Sequence, residues 1–322
     1  AVNSLKHGAF EFVEKPFDQA RLLNFITRAV ENIKLKSQNK EYENKLFSSY
    51  ELIGDSKNIL NIKDQINKIS ITESRILIKG PSGSGKELIA RKIHKNSKRN
   101  NKSFVILNGA LLDSNKYELE LFGKENDNGS ISYGALEKAN QGTLLIDQVS
   151  EIPLDIQSKI LRVLTDQKFK RLNGNNLVNV DVRLICSTSK DLLEEIKIGN
   201  FREDLYHRLN VFEINILPLN ERVSDIPLLI NYFSEKISEN YNIEKLKINE
   251  NDSYILGHNW KGNVRELRNL IERIAILQPD TKEKVSNIVK ESLKTHILDE
   301  KITENNLSVP LKEARENLKR SI

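Results

Sequence analysis

RILIKGPSGSGKELIARKI, residues 75–93, reads as an apolar strand, a glycine-rich turn and an amphipathic helix in direct succession. Ile76, Leu77 and Ile78 form an unbroken apolar run, as a strand covered on both faces requires. Gly80, Gly83 and Gly85 let the backbone fold around an anion with its amides turned inward, and Lys86 opens a helix whose positive end faces the same point. Pro81, Ser82 and Ser84 fill the remaining positions, and the spacing of Gly80, Gly85 and Lys86 fits the phosphate cradle G-x-x-x-x-G-K. A merely flexible Gly/Ser turn needs neither the strand before it nor the helix after it. One departure is visible: where the pattern expects a hydroxyl for magnesium, the residue is Glu87.

Outward from this stretch, apolar runs recur at 104–107 (FVIL), 143–146 (TLLI), 180–186 (VDVRLIC) and 211–216 (VFEINI). Helical patterns lie between most of them, notably Ile156, Ile160, Leu161 and Leu164. The alternation predicts an α/β fold over 51–217, a parallel sheet with helices on both faces. Ahead of the first strand, Ser56 is placed to cap a helix carrying Ile59, Ile62, Ile66 and Ile69 on one face. An Asn173-Gly174 pair after FKRL predicts a tight hairpin. After Pro218 the strands stop: Ile226, Leu229, Ile230, Phe233 and Ile237 share a face behind Ser224 or Asp225 as cap, with Pro227 in the first turn. Val264, Leu267, Leu270, Ile271 and Ile274 define a second helix, so 218–290 is predicted to be a small all-helical lid. The run TLLID ends in Asp147, placed to face magnesium at the cradle, and Gln148 follows it.

The 322 residues suffice for two or three units, and a formal charge of +5 permits nucleic-acid contact without demonstrating it. A single cysteine, Cys186, excludes an internal disulfide, and no apolar span is long enough to enter a membrane; both point to a reducing cytosol. Methionine is absent even at position 1, from which the chain is expected to be a fragment. FEFV (10–13), followed by Lys15, Pro16 and Phe17, suggests the tail of a domain, and 31–50 a polar linker helix.

Together these residues resemble the bacterial enhancer-binding response regulators of the NtrC type, built around an AAA+ ATPase domain. GPSGSGKELIA resembles their Walker A motif, in which Glu commonly follows Lys, and GTLLIDQ their Walker B; FREDLYHRLN resembles the arginine-finger segment and WKGNVRELRN the sensor II helix. The resemblance implies ATP or ADP with Mg2+ as ligands. It implies that Arg202 and Arg208 reach a neighbouring subunit's nucleotide and that Arg265 senses it from the lid. Asn108 would restrain the residue after Asp147, Thr188 and Ser189 would form sensor I, and Ile53 and Gly54 would lie beside the adenine. Residues 1–30 resemble the end of a receiver domain, with a phosphoacceptor upstream of Ala1. Residues 291–322 resemble the NtrX linker towards a Fis-type DNA-binding domain. The implied partners are further copies of the chain, as dimer or ring, a cognate histidine kinase through the receiver, and DNA; no membrane is implied.

Three departures carry the functional expectation. Relatives that activate the sigma-54 polymerase carry a GAFTGA loop, whereas LFGKENDNGSISYGALEKA here makes 124–132 polar and flexible, as in the NtrX branch, so no sigma-54 contact is expected. Gln148 replaces a glutamate that would act as base, and an amide takes no proton near neutral pH. Ser189 stands where Asn is usual. The expectation is an NtrX-like regulator that binds nucleotide with weak or no hydrolysis; the alternative is an active ATPase that drives sigma-54-dependent transcription.

Overall fold

A computed structural model describes residues 51–293, apart from 112–113, 127–128, 245, 247, 278–280 and 282, together with Leu23, Thr27 and Val30. The chain divides into two compact units, 1–51 and 52–322. In the first, Leu23, Thr27 and Val30 are helical; the receiver-like reading of 1–30, with Lys15, and the linker helix at 31–50 otherwise lie outside the described residues. So does the tail from 294 onward.

The second unit runs α1 (Lys57–Ser70), β1 (Ile76–Lys79), α2 (Lys86–Lys95), β2 (Phe104–Asn108), α3 (Ser114–Phe122), β3 (Gly123–Glu125), β4 (Ile131–Tyr133) and α4 (Ala135–Lys138). It continues with β5 (Thr143–Asp147), α5 (Leu154–Asp166), β6 (Lys168–Lys170), β7 (Leu177–Asn179), β8 (Arg183–Thr188), α6 (Leu192–Lys197), α7 (Glu203–Leu209) and β9 (Phe212–Asn215). Five strands pair in parallel in the order β2-β5-β8-β1-β9, and β3/β4 and β6/β7 form two small antiparallel hairpins. Side chains alternate across the sheet as strand geometry demands. Leu77, Leu144, Ile146, Leu184 and Cys186 join a core with α3, α5 and α7. Ile76, Ile78, Leu145 and Ile185 face the opposite way, onto α1 and α2. The expected helix-covered parallel sheet is therefore present, with β8 beginning at Arg183 rather than Val180. The ladder sets that start, since Arg183 pairs with Thr143, the first residue of β5; its guanidinium, buried, donates to Ile69 O (2.9 Å) and Ser70 O (3.1 Å) at the end of α1.

Asn173 does take a positive φ of 58°, but the hairpin turn spans 171–176 and is not tight. Arg171 leaves the ladder to grip Glu137 (2.7 Å) and Glu125 (2.9 Å), and Leu172 bridges to Lys124, so the two hairpins are docked together.

The lid comprises α8 (Asp225–Tyr241), α9 (Ser253–Leu256), α10 (Asn263–Leu277) and a further helix over 283–293. Ile226, Leu229, Ile230, Ile237, Leu267, Leu270, Ile271 and Ile274 build its core around the buried Trp260. Neither Ser224 nor Asp225 caps α8 with its side chain, contrary to expectation. Asp225, fully buried, accepts instead from Asp55 N (2.9 Å), Ser56 N (2.8 Å) and Ser56 Oγ (2.8 Å), serving the start of α1. Ser56 in turn caps α1, accepting from Ile59 N. Beside Asp225 lies the guanidinium of Arg222 at 3.6 Å, also buried, so a lid ion pair holds the approach to the first helix.

Two expectations follow. Asp225→Ala strands a buried guanidinium and three donors, and is expected to cost about 3–5 kcal/mol in urea unfolding, with Asp225→Asn costing less. His94, 2 % exposed and bonded through Nδ1 to Thr143 Oγ1 (2.9 Å), is pushed by burial down to a pKa of about 4 from 6.5. The unfolded chain then takes up a proton that the folded chain refuses. Stability is full above pH 6.5 and falls towards pH 4, by about 3 kcal/mol. Urea titrations across that window are expected to show this loss, and His94→Gln to lack that part of it.

Candidate nucleotide-binding site

The cradle lies where β1 hands over to α2, at the carboxyl end of the parallel strands, where open α/β sheets place ligands. Gly83 has φ 74°, and a Cβ there would lie 2.2 Å from Gly262 O of the lid, so only glycine permits this approach. Each outward carbonyl of the turn has a donor. Lys86 Nζ donates to Gly80 O (2.8 Å) and Pro81 O (2.9 Å), and Asn263 Nδ2 to Ser82 O (2.9 Å). Arg265 N donates to Gly83 O (3.3 Å), and Arg222 Nη2 to Ser84 O (3.0 Å). Ser84 Oγ is buried within the turn without a protein partner, an orphaned hydroxyl that an anion's oxygen would satisfy. Asn263 and Arg222 brace the turn, and motif spacing did not single them out. The WKGNVRELRN match contains Asn263, but only the fold reveals that it bonds both the cradle and Leu219 N (2.8 Å).

Burial lowers the Lys86 pKa; Asp147 opposes that shift and Arg265 adds to it. Asp147, half-buried at the end of β5, accepts a hydrogen bond from Ser187 Oγ. One acid facing a phosphate cradle suits magnesium, which keeps several waters and needs few protein ligands. The chain's residues thus fit the expected nucleotide and metal. The carboxylate of Glu87 pairs with Arg91 (2.7 Å) one turn along α2.

Gln148 stands at φ 58°, in the left-handed region, and starts a single 3-10 turn over Val149–Glu151. Its Oε1 accepts from Ser189 Oγ (2.8 Å) and Ser189 N (3.2 Å). Asn108 Oδ1 accepts from Ala110 N (3.0 Å), within its own turn, rather than holding Gln148 as the resemblance implied. Thr188 is fully buried; its hydroxyl donates to Lys190 O (3.1 Å), and its carbonyl accepts from Gly80 N (3.2 Å), which ties β8 to the cradle.

Arg265 Nη1 reaches Ser82 Oγ at 3.5 Å, beside a cavity of about 330 Å³ also lined by Gly262, Asn269 and Arg273. Ile53 packs on the lid core, and Gly54 abuts the Asp225 carboxylate. Arg202 and Arg208 are exposed: Arg202 precedes α7 and pairs with Asp204 (2.7 Å), and Arg208 lies on α7. In the segment that stands in place of a GAFTGA loop, 124–125 and 131–132 belong to the β3/β4 ladder, and Asn126 Nδ2 bonds Ser130 Oγ (3.0 Å). No helix among the described residues is long and apolar enough to cross a membrane.

Comparison with known proteins agrees with this geometry. Residues 52–215 match the model of the Sigma-54 interaction domain, and 220–309 that of the AAA+ ATPase lid domain. The nitrogen assimilation regulatory protein NtrX of Azorhizobium caulinodans is 41 % identical, over 99 % of this chain and 72 % of its own length. A putative NtrX-like response regulator of Rickettsia bellii is 39 % identical, over 99 % of this chain and 70 % of its own. The crystal structure of NtrX from Brucella abortus superposes with a TM-score of 0.76 at 40 % identity, covering 100 % of this chain and 71 % of that one. The same protein in complex with ATP gives 0.74 at 39 % identity, covering 99 % and 71 %. The chain belongs to the NtrX-like group of NtrC-type response regulators, built around a sigma-54-interaction AAA+ domain.

Proposed function

We propose that this domain binds ATP or ADP and uses it to set conformation and assembly, with little turnover. The observation that carries the reading is a fully braced phosphate cradle beside Gln148, an amide where a base is required. Loss of a general base lowers rate by about a hundred-fold to ten-thousand-fold, while leaving the groups that bind phosphate untouched. The Brucella relative crystallised with ATP and with ADP supports the ligand class. Lys86 and the amides of 83–86 would hold the phosphates, and Arg265 would meet the γ end from the lid. Asp147 would hold Mg2+ through water, and the metal would neutralise phosphate charge.

Arg202 and Arg208, exposed outside their own cradle, suit contact with the nucleotide of a second copy. In the whole protein, phosphorylation by a histidine kinase at the receiver and a DNA-binding domain beyond this chain would complete a transcription regulator. A polar hairpin held by Arg171, with no aromatic-threonine tip, argues against contact with sigma-54. The second reading, an ATPase remodelling the sigma-54 polymerase, is favoured by the match to the sigma-54 interaction model.

Isothermal titration is expected to give micromolar or tighter binding of ATP and ADP, roughly −8 kcal/mol or better, abolished by Lys86→Ala. Phosphate release by the same sample is expected to stay near background, and pull-down with sigma-54 to fail in either nucleotide state. Steady-state hydrolysis at a rate typical of AAA+ enzymes would refute the proposal.

A further inference from the structure

Gln148 and Ser189, 41 residues apart in the chain, touch each other. Gln148 Oε1 takes a hydroxyl from Ser189 at 2.8 Å and the Ser189 N–H at 3.2 Å. Other polar neighbours are engaged elsewhere: Asn108 Oδ1 with Ala110, the Thr188 hydroxyl with Lys190 and Ser150, and Ser187 with Asp147. The Gln148 backbone is fixed at φ 58° by the turn that follows, so its side chain leaves from a set point towards the end of β8.

We infer that Ser189 is a positioning residue that holds the side chain of residue 148 against the end of β8, so that position 148 is kept from activating water by its orientation as well as by its chemistry. The inference rests on the nucleotide-holding function proposed above. It has a consequence that the amide alone does not have. A glutamate at 148 would meet the same two donors, and bonds from O–H or N–H to a carboxylate are roughly twice as strong as those to a neutral carbonyl. Restoring the acid alone therefore tightens the hold. Removing the hydroxyl leaves only the longer N–H bond and frees the carboxylate to turn.

The test compares Gln148→Glu, Gln148→Glu with Ser189→Ala, and Gln148→Glu with Ser189→Thr, in the full chain at one protein concentration, by ATP turnover and ATP affinity. Gln148→Glu and the threonine double variant, which keeps a hydroxyl, are expected to agree with each other in kcat within about three-fold, less than the ten-fold that 1.4 kcal/mol represents. The alanine double variant is expected to exceed both by about ten-fold or more, with KM for ATP unchanged.

Equal gains in Gln148→Glu and its alanine partner, or basal turnover in all three, would overturn the hold. A drop in ATP affinity confined to the alanine double variant would show Ser189 to be structural, and would overturn it too. Fast hydrolysis by the unmodified chain would instead overturn the nucleotide-holding function, and the ratio between the variants would still decide the hold.

Discussion

A glycine-rich turn that leaves its strand must find donors for its carbonyls outside the sheet ladder, and the rest of this site depends on that constraint. Buried backbone groups left without partners cost about as much as a lost hydrogen bond each. Here Lys86, Asn263, Arg265 and Arg222 between them serve five consecutive carbonyls, Gly80 to Ser84. Three of the four donors come from beyond Pro218, so the lid is part of the loop's hydrogen bonding and not an appendage to the sheet. Through Arg222 the same bracing reaches Asp225, and through Asp225 the backbone of residues 55 and 56. The segment expected beside the adenine and the loop expected around the phosphates are therefore referred to one buried ion pair.

Sequence made the frame of this legible where a single local rule was enough. Ile76, Leu77 and Ile78 announced a strand because both sheet faces are covered, and the spacing of Ile59 to Ile69 announced a helix with one apolar face. The cradle was legible because glycine at fixed intervals has few other uses. What was hidden was every polar contact between residues distant in the chain. Asp225 looked like a cap for its own helix because acids favour first turns, yet the fold turns it back some 170 residues to Asp55 and Ser56. Arg183 sat inside an apolar run with no local hint that it would bond the end of α1. Asn173-Gly174 signalled a hairpin correctly but not its length, because Arg171 is drawn off to Glu125 and Glu137, which lie on another part of the chain.

The hydrolytic side of the site follows a different economy from the cradle. Asp147 and Gln148 are adjacent, and their side chains bond two residues that flank Thr188, Ser187 within β8 and Ser189 just after it. Substituting Ser189 is therefore not independent of substituting Gln148: residues in one hydrogen-bond network change free energies non-additively. This is why residues 148 and 189 are better regarded as one arrangement than as two separate positions, although 41 residues separate them in the chain.

A nucleotide that is held rather than hydrolysed can act only through differential affinity. It shifts a conformational equilibrium by as much as it prefers one state to another, and by no more. The bracing of the cradle supplies a physical route to such a preference. If the lid rotates away, Ser82, Gly83 and Ser84 lose their donors together, and the loop's amides lose the fixed geometry that binds phosphate. The nucleotide, bound to those amides, would accordingly favour the closed lid, and reciprocally a closed lid would favour the nucleotide. Hydrolysis contributes nothing to that coupling, which needs only Lys86, the glycines and the lid contacts, while the position of Arg202 and Arg208 on the exposed side of the domain would carry the closed state to a neighbouring copy.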